Sequence, residues 1–305
     1  DSVPLFLVPE SNSDYPERVE YDRIWRCYFV YFILKWTVEV SLKDKIIGFI
    51  GAGNMASSII RGLIKSGKAP ATILVKDIDK VKLEYLAGET GIKPSSTSDI
   101  CTIADAVVLA VKPQLMKTVC LEIKAFDLSK LLVSVAAGVK VAQLQDWLQK
   151  PAALVRCMPN TPALIGQGAS GLFANKFTSE QQKELAQYIM DSVGLTVWLK
   201  REDDIDTVTA LSGSGPAYFF LFMEAMQEFA QEFGLEQEVA ETLICQTAVG
   251  ASELARQSED STIELRKKVT SPGGTTERAI RKFEHGNFKG LVREALITAR
   301  DRSIE

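Results

Sequence analysis

KDKIIGFIGAGNMASSIIRGLIKSG, residues 43–67, decides how the rest of the chain is read. The apolar, β-rich run IIGFI is what a parallel strand buried on both faces requires. It passes without a spacer into Gly51-Ala52-Gly53-Asn54-Met55-Ala56. A helical pattern of Ile59, Ile60, Leu63 and Ile64 follows and stops at Gly67. In such a strand–G-x-G-x-x-A–helix unit Gly51 permits the tight turn, and Gly53 lets a pyrophosphate approach the backbone. Small Ala56 lets helix and strand pack closely. The helix start offers free N–H groups and the positive end of its dipole to phosphate. These residues point to a bound dinucleotide.

The following strand, TILVKD (72–77), ends in Asp77. An acid about 25 residues past such glycines accepts hydrogen bonds from the adenosine ribose and repels a 2′-phosphate, which favours NADH. Lys76, Lys80 and Lys82 stand close enough to hold a phosphate, although a solvated helix face is their plainer role. NADPH and NADH therefore both stay open. Three more buried strands are read in ADAVVLAVKP (104–113), KLLVSVAAGV (130–139) and AALVRCMPNTP (152–162). Each ends in small or turn-forming residues: Val111-Lys112-Pro113, Ala136-Ala137-Gly138 and Pro159-Asn160-Thr161-Pro162. Ligands of open α/β sheets bind beyond the carboxyl ends of strands, where small residues leave room for a nicotinamide.

Composition narrows the class. The 305 residues suffice for two ordinary domains, and 46% hydrophobic with 24% charged residues is the balance of a globular protein with a real core. A net charge of -4 provides no general attraction to nucleic acid or anionic membrane. Cys27, Cys101, Cys120, Cys157 and Cys245 are scattered and odd in number, without metal-ligand or redox spacing. No disulfide framework and no metal site is expected, and a reducing, cytoplasmic setting follows. The single histidine, His285, leaves histidine-based acid–base chemistry one candidate.

Residues 1–44 differ from the rest. They show no sustained period, mix Pro with both signs of charge and begin without Met. The apolar run CYFVYFIL (27–34) is too short for a membrane span, which needs roughly 20 residues. Acidic residues before it and no small-residue cleavage site after it argue against a signal peptide. A poorly ordered extension outside the fold is expected, with an accessory element docked on the body or a partner as the alternative.

SEQQKELAQYIMDSVG reads as helix and LTVWLK as strand, and the charged run REDDID (201–206) marks a boundary. Residues 45–202 form the first domain on this reading and 203–305 the second. Beyond the boundary β-type runs vanish, and 218–234, 236–257, 262–269, 276–286 and 287–305 all read as helices. Helices this apolar cannot cover themselves, so burial between subunits is expected. The chain stops mid-helix at Glu305 without a capping signal, from which a few further residues are expected. Two loops interrupt the helices, TALSGSGPAY (209–218) and VTSPGGTT (269–276). Glycines free their backbones to approach a ligand, and hydroxyls with helix-start N–H groups make a neutral cradle for a carboxylate.

IGFIGAGNMA, AVKPQ, AAGV, RCMPNTPALIGQG, SGSGPAYFF and SPGGTT, in this order, closely resemble Δ1-pyrroline-5-carboxylate reductases across about residues 45–305. The resemblance implies an α/β chain: an N-terminal Rossmann doubly wound sheet, then an all-helical C-terminal dimerisation domain that interlocks with a second subunit, often in a decameric ring of dimers. It implies NAD(P)H-dependent reduction of the cyclic imine to L-proline. By position it places Gly51, Gly53, Asn54, Met55 and Ala56 at the pyrophosphate. Val111, Lys112, Pro113, Ala136, Ala137 and Asn160 would border ribose and nicotinamide. Ser271, Gly274, Thr275 and Thr276, with Val269, would hold the substrate carboxylate. Thr209 would donate a hydrogen bond or proton to the ring nitrogen, and Glu259 matches an acidic position near the site. Relatives preferring NADPH often carry hydroxyl residues where this chain has VKDID. A reductase of another cyclic imine or of a 2-keto or 3-hydroxy acid is the nearest alternative, and a nucleotide-sensing protein without turnover a further one.

Overall fold

The computed structural model describes residues 42–305. The expectation for residues 1–44 falls almost wholly outside them. Strand β1 (Ile47–Ile50) is buried along its whole length, as its unbroken apolar sequence demands. It leads through the glycine turn into α1 (Asn54–Lys65), whose Ala56, Ile59, Ile60 and Leu63 are buried while Arg61 faces solvent. The pattern repeats with β2 (Ile73–Lys76), α2 (Lys80–Thr90), the two-residue β3 (Lys93–Pro94), α3 (Thr97–Ile103), β4 (Ala106–Leu109) and α4 (Pro113–Ile123). It continues with β5 (Leu131–Ser134), α5 (Val141–Leu148) and β6 (Ala153–Met158). Strand β7 (Gly168–Ala174), α6 (Glu180–Asp191) and β8 (Gly194–Trp198) complete the sheet.

The strand order is β3-β2-β1-β4-β5-β6-β7-β8, parallel throughout except between β6 and β7. It is the doubly wound arrangement expected, and its direction reverses between β1 and β4. At that switch point the ends of both strands diverge and leave a crevice. Strand β7, GASGLFA, is an element that periodicity did not announce. Its small residues are poor strand formers, yet at Gly171 a β carbon would lie 2.9 Å from Val208 Cγ1. Close packing, and not propensity, selects them.

The helical part comprises α7 (Asp204–Val208), a π-helical turn (Thr209–Gly213), α8 (Gly215–Glu232), α9 (Gln237–Gln257), α10 (Thr262–Lys268), α11 (Thr275–His285) and α12 (Phe288–Ile304). One expectation needs correction here: TALSGSGPAY is not a loop. The Ser214 N–H bonds the Thr209 carbonyl five residues back at 2.8 Å, and the chain continues helically into α8. Pro216, near the start of α8, has no N–H to lose, so a widened turn costs little there. The carbonyl of Ser212 receives a bond from Asn160 Nδ2 at 3.1 Å. A strand-end side chain thus secures the widened turn. The apolar faces remain largely uncovered: Phe219, Phe220, Leu221, Phe229, Phe233 and Leu243 are each more than half exposed.

Where α1 passes the end of α6, a β carbon on Gly62 would lie 2.3 Å from the Ser192 carbonyl oxygen. Gly62→Ala is expected to destabilise the protein by about 1–3 kcal/mol through overpacking. Gly88→Ala on α2, where a β carbon meets nothing within 4 Å, should be neutral or stabilising. Thermal unfolding midpoints of the two variants check the contrast.

Candidate active site

The phosphate end is built from β1, its turn and α1. Gly51 has φ +104, and a β carbon there would stand 2.5 Å from the Ala110 carbonyl of the neighbouring strand end. Both the turn and its neighbour therefore demand glycine. Gly53 is different. A β carbon on it would come no nearer than 3.9 Å to the surrounding protein, so the fold itself leaves that space unfilled. The bare backbone suits a group approaching from outside. Gly53 also caps α1 without a side-chain bond, and the first turn (Asn54, Met55, Ala56) carries no acid, so its N–H groups and dipole are available to a pyrophosphate.

Asp77 does more than await a ribose. Its Oδ2 accepts the N–H of Ala52 at 2.5 Å and its Oδ1 that of Asp79 at 2.8 Å, so the carboxylate braces the glycine turn from the side. A carboxylate has about four lone-pair sites, which leaves capacity for ribose hydroxyls. Lys76 is committed elsewhere: its Nζ lies 3.0 and 3.3 Å from the Glu122 carboxylate oxygens. The Thr97 hydroxyl, and after it Lys76, hold the Glu122 carboxyl below its ordinary value, which keeps the pair charged. Lys80 and Lys82 sit exposed on α2, as a solvated face would.

At the other end of the crevice Val111 is half-buried and packs against the core, while Lys112 and Pro113 begin α4 in the open. Ala136 is buried, and Ala137 and Gly138 line a cleft of 670 Å³ together with Thr209, Ser214, Arg156 and Ser303. The structure thus brings the second strand-end tripeptide and Thr209 into one space. The Thr209 hydroxyl donates to the Ile205 carbonyl at 2.8 Å, which leaves its lone pairs as acceptors. Asn160 is buried with both amide ends engaged: Nδ2 donates to the Ser212 carbonyl, and Oδ1 accepts the Ala169 N–H at 2.8 Å. It reaches the cleft through the turn that it secures.

The remaining predicted residues sit elsewhere in the chain. Val269 and Ser271 are exposed in the α10–α11 connection, and Thr275 and Thr276 open α11 behind the uncapped Gly274. The hydroxyls of Ser271, Thr275 and Thr276 make no hydrogen bond with the described residues. Glu259 is exposed between α9 and α10. None of these residues lines the cleft that holds Thr209. His285 is exposed at the end of α11.

Sequence reasoning also passed over an inward-facing set of charges. REDDID was read only as a domain boundary, yet Asp206 is 2% exposed and Glu202 is only partly exposed. Both face Arg156, at 3.9 and 3.1 Å respectively. The lone arginine inside the apolar strand AALVRCM was the available signal, since a buried cation requires a partner.

A parallel sheet with a phosphate-cradling turn, a strand-edge cleft and an appended helical half defines an oxidoreductase of the dinucleotide-binding class. A family model described as pyrroline-5-carboxylate reductase dimerisation matches residues 202–305, and one described as NADP oxidoreductase, coenzyme F420-dependent, matches residues 46–138. The pyrroline-5-carboxylate reductase of Pseudomonas aeruginosa is 49% identical over 261 residues, 85% of this chain and 96% of the relative. A solved pyrroline-5-carboxylate reductase from Coxiella burnetii superposes with TM-score 0.82 at 45% identity, covering 85% of this chain and 97% of that one. The Plasmodium falciparum pyrroline carboxylate reductase, solved with NADP bound, gives TM-score 0.77 at 29% identity over 86% and 98% of the two chains. The chain belongs to the pyrroline-5-carboxylate reductase family.

Asp77→Ala removes both a brace of the turn and a negative charge at the end of β2. The Kd for NADH is expected to rise about tenfold, as fits the loss of a charge-assisted hydrogen bond. The Kd for NADPH should rise less, because a repulsion on its 2′-phosphate is relieved. Fluorescence titration of both coenzymes checks this, and an equal rise would restrict Asp77 to bracing.

Proposed function

We propose that this chain reduces Δ1-pyrroline-5-carboxylate to L-proline with NADPH or NADH, the last step of proline biosynthesis. The coenzyme, when bound, supplies a hydride to the imine carbon. The observation that carries this reading is the donor set at 271–276, three hydroxyls without a partner among the described residues, at a helix start whose N-cap Gly274 makes no side-chain bond. A small cyclic substrate whose only strong handle is a carboxylate needs such a cradle, and N–H with O–H donors hold it without a cation.

The chain need not provide a strong acid. A protonated imine already carries the proton that the product nitrogen keeps, so orientation of the ring is the protein's main task. Thr209 lines the cleft with its own proton committed to Ile205, so Oγ1 is placed to accept the ring N–H. That acceptor role replaces, in this reading, the donor role implied by the resemblance. Gly51, Gly53, Asn54, Met55 and Ala56 hold the pyrophosphate, and Asp77 the adenosine ribose. Val111, Lys112, Pro113, Ala136 and Ala137 border the nicotinamide half, with Asn160 positioning the π turn. Ser271, Gly274, Thr275 and Thr276, flanked by Val269 and Glu259, hold the carboxylate.

Within one chain the cradle does not line the cleft that contains Thr209. The exposed aromatic face of α8 and α9 is the surface through which two chains pair, and pairing brings one chain's cradle to the other's cleft. A decamer of such pairs is the larger assembly that we propose. Among the described residues no helix is long and apolar enough to cross a membrane. A cytoplasmic setting suits the proposed coenzyme and the free thiols of Cys101, Cys120 and Cys157.

Two kinetic outcomes test the assignment. Thr276→Val is expected to raise KM for the imine about tenfold, the effect of one lost hydrogen bond to a charged group, with coenzyme KM unchanged. Thr209→Val is expected to lower kcat about tenfold while Thr209→Ser keeps most of it. Steady-state kinetics with each substrate varied in turn decide both. Parental constants in Thr276→Val would remove the cradle from the site.

A further inference from the structure

Arg156 is unusual for its surroundings. It sits in the middle of β6, in a strand otherwise buried and mostly apolar, and its side chain is 2% exposed. Two carboxylates reach it, Glu202 at 3.1 Å and Asp206 at 3.9 Å. Only Glu202 is within hydrogen-bond reach of the guanidinium, Asp206 standing beyond it as an ion-pair partner, and each carboxylate also takes a bond from elsewhere. Glu202 Oε1 also accepts the N–H of Val141 at 2.6 Å, the first residue of α5 and close after Ala137-Gly138. Asp206 Oδ1 also accepts the hydroxyl of Ser303 at 2.9 Å, in the last turn of α12. One guanidinium therefore ties together the strand-edge turn, the short helix that runs into Thr209, and the end of the chain. Ala137 and Gly138, Thr209 after the short helix, and Ser303 line the same cleft.

Stability does not demand this arrangement. Withdrawing three charges from water is costly, and apolar residues of similar volume often fill such a place equally well or better. Directional bonds provide what apolar packing lacks, a defined register between the parts that they join. Thr209 follows Asp206 by about one helical turn. The orientation of α7, and with it the height of Thr209 above Ala137, is set where Asp206 meets Arg156 and Ser303.

We propose that Arg156, with Glu202 and Asp206, is a positioning device for the reduction. It fixes the Thr209 hydroxyl against the nicotinamide edge and draws the end of α12 into the same frame. The proposal rests on the assignment of Thr209 above. Arg156 acts through Thr209 and is a positioning residue, since its guanidinium faces the Glu202 and Asp206 carboxylates.

The test removes the three charges together, so that none is left buried without a partner. The variant R156M/E202Q/D206N is expected to fold, with an unfolding midpoint within about 5 °C of the parent's. Its kcat should fall about tenfold while coenzyme KM stays within about twofold. Thr209→Val added to this background should lower kcat by less than about threefold, because groups acting as a unit are not additive. A merely structural network would give losses that multiply. A folded triple variant with parental kcat, or with fully multiplicative losses, overturns the proposal. If Thr209→Val alone leaves kcat unchanged, the assignment of Thr209 has failed, whatever the triple variant does. Should the triple variant not fold, Arg156→Lys and Ser303→Ala read the same coupling. Each should lower kcat by about threefold or more and blunt the further effect of Thr209→Val, and unchanged kcat in both overturns the proposal.

Discussion

The rest of the site depends on the close approach of the first glycine turn to the end of β4. At Gly51 a single added carbon would press on the Ala110 carbonyl at 2.5 Å. This crowding occurs because β1 and β4 are parallel neighbours whose ends diverge at the reversal of strand order. The same divergence opens the crevice that a dinucleotide would occupy. Asp77 holds the turn from the β2 side through the Ala52 N–H, so the phosphate cradle is set by two neighbouring strands at once. The empty space at Gly53 is what remains when the backbone has been set this closely.

The helical half is attached to that sheet by polar contacts at one corner. Asn160, beyond β6, bonds the π turn at Ser212, and Gly213 lies so near Met158 that a β carbon would be 2.6 Å from Met158 Cε. Arg156, in β6 itself, meets Glu202 and Asp206. Pro216 has no N–H to offer the Ser212 carbonyl four residues back, and Asn160 supplies the donor instead. Thr209 is thereby presented from an element fastened to the sheet, which suits the alignment role proposed for it.

The proposed carboxylate cradle lies apart from the cleft of Thr209. The hydroxyls near 271–276 crown α11, on a bundle whose aromatic face is exposed in the isolated chain. An apolar surface of this kind is covered by self-association, consistent with the dimerisation family match. The uncovered face and the separated cradle have a common physical explanation: helices arranged to bury their apolar sides against a second chain cannot also cover their own cleft.

Local pattern made much of this legible in the sequence. A strand buried on both faces must be continuously apolar, and a turn that hosts phosphate must lack side chains, so IIGFIGAG could be read directly. The helices of the C-terminal half and the donor-rich SPGGTT were visible for similar reasons. What remained hidden depends on distant partners. REDDID looks the same whether it faces water or Arg156, and Arg156 lies 46 residues from Glu202 in sequence. Strand β7 forms from weak strand residues because β6, β8 and Val208 close around it. The π turn differs from an ordinary break in register by one hydrogen bond and one amide from Asn160. The sequence by itself determined most of the strands and helices and which donors could hold phosphate or carboxylate, because those are short-range properties. Tertiary structure alone decided which of them share a cleft, because that depends on side chains far apart in the chain meeting at the edge of one sheet.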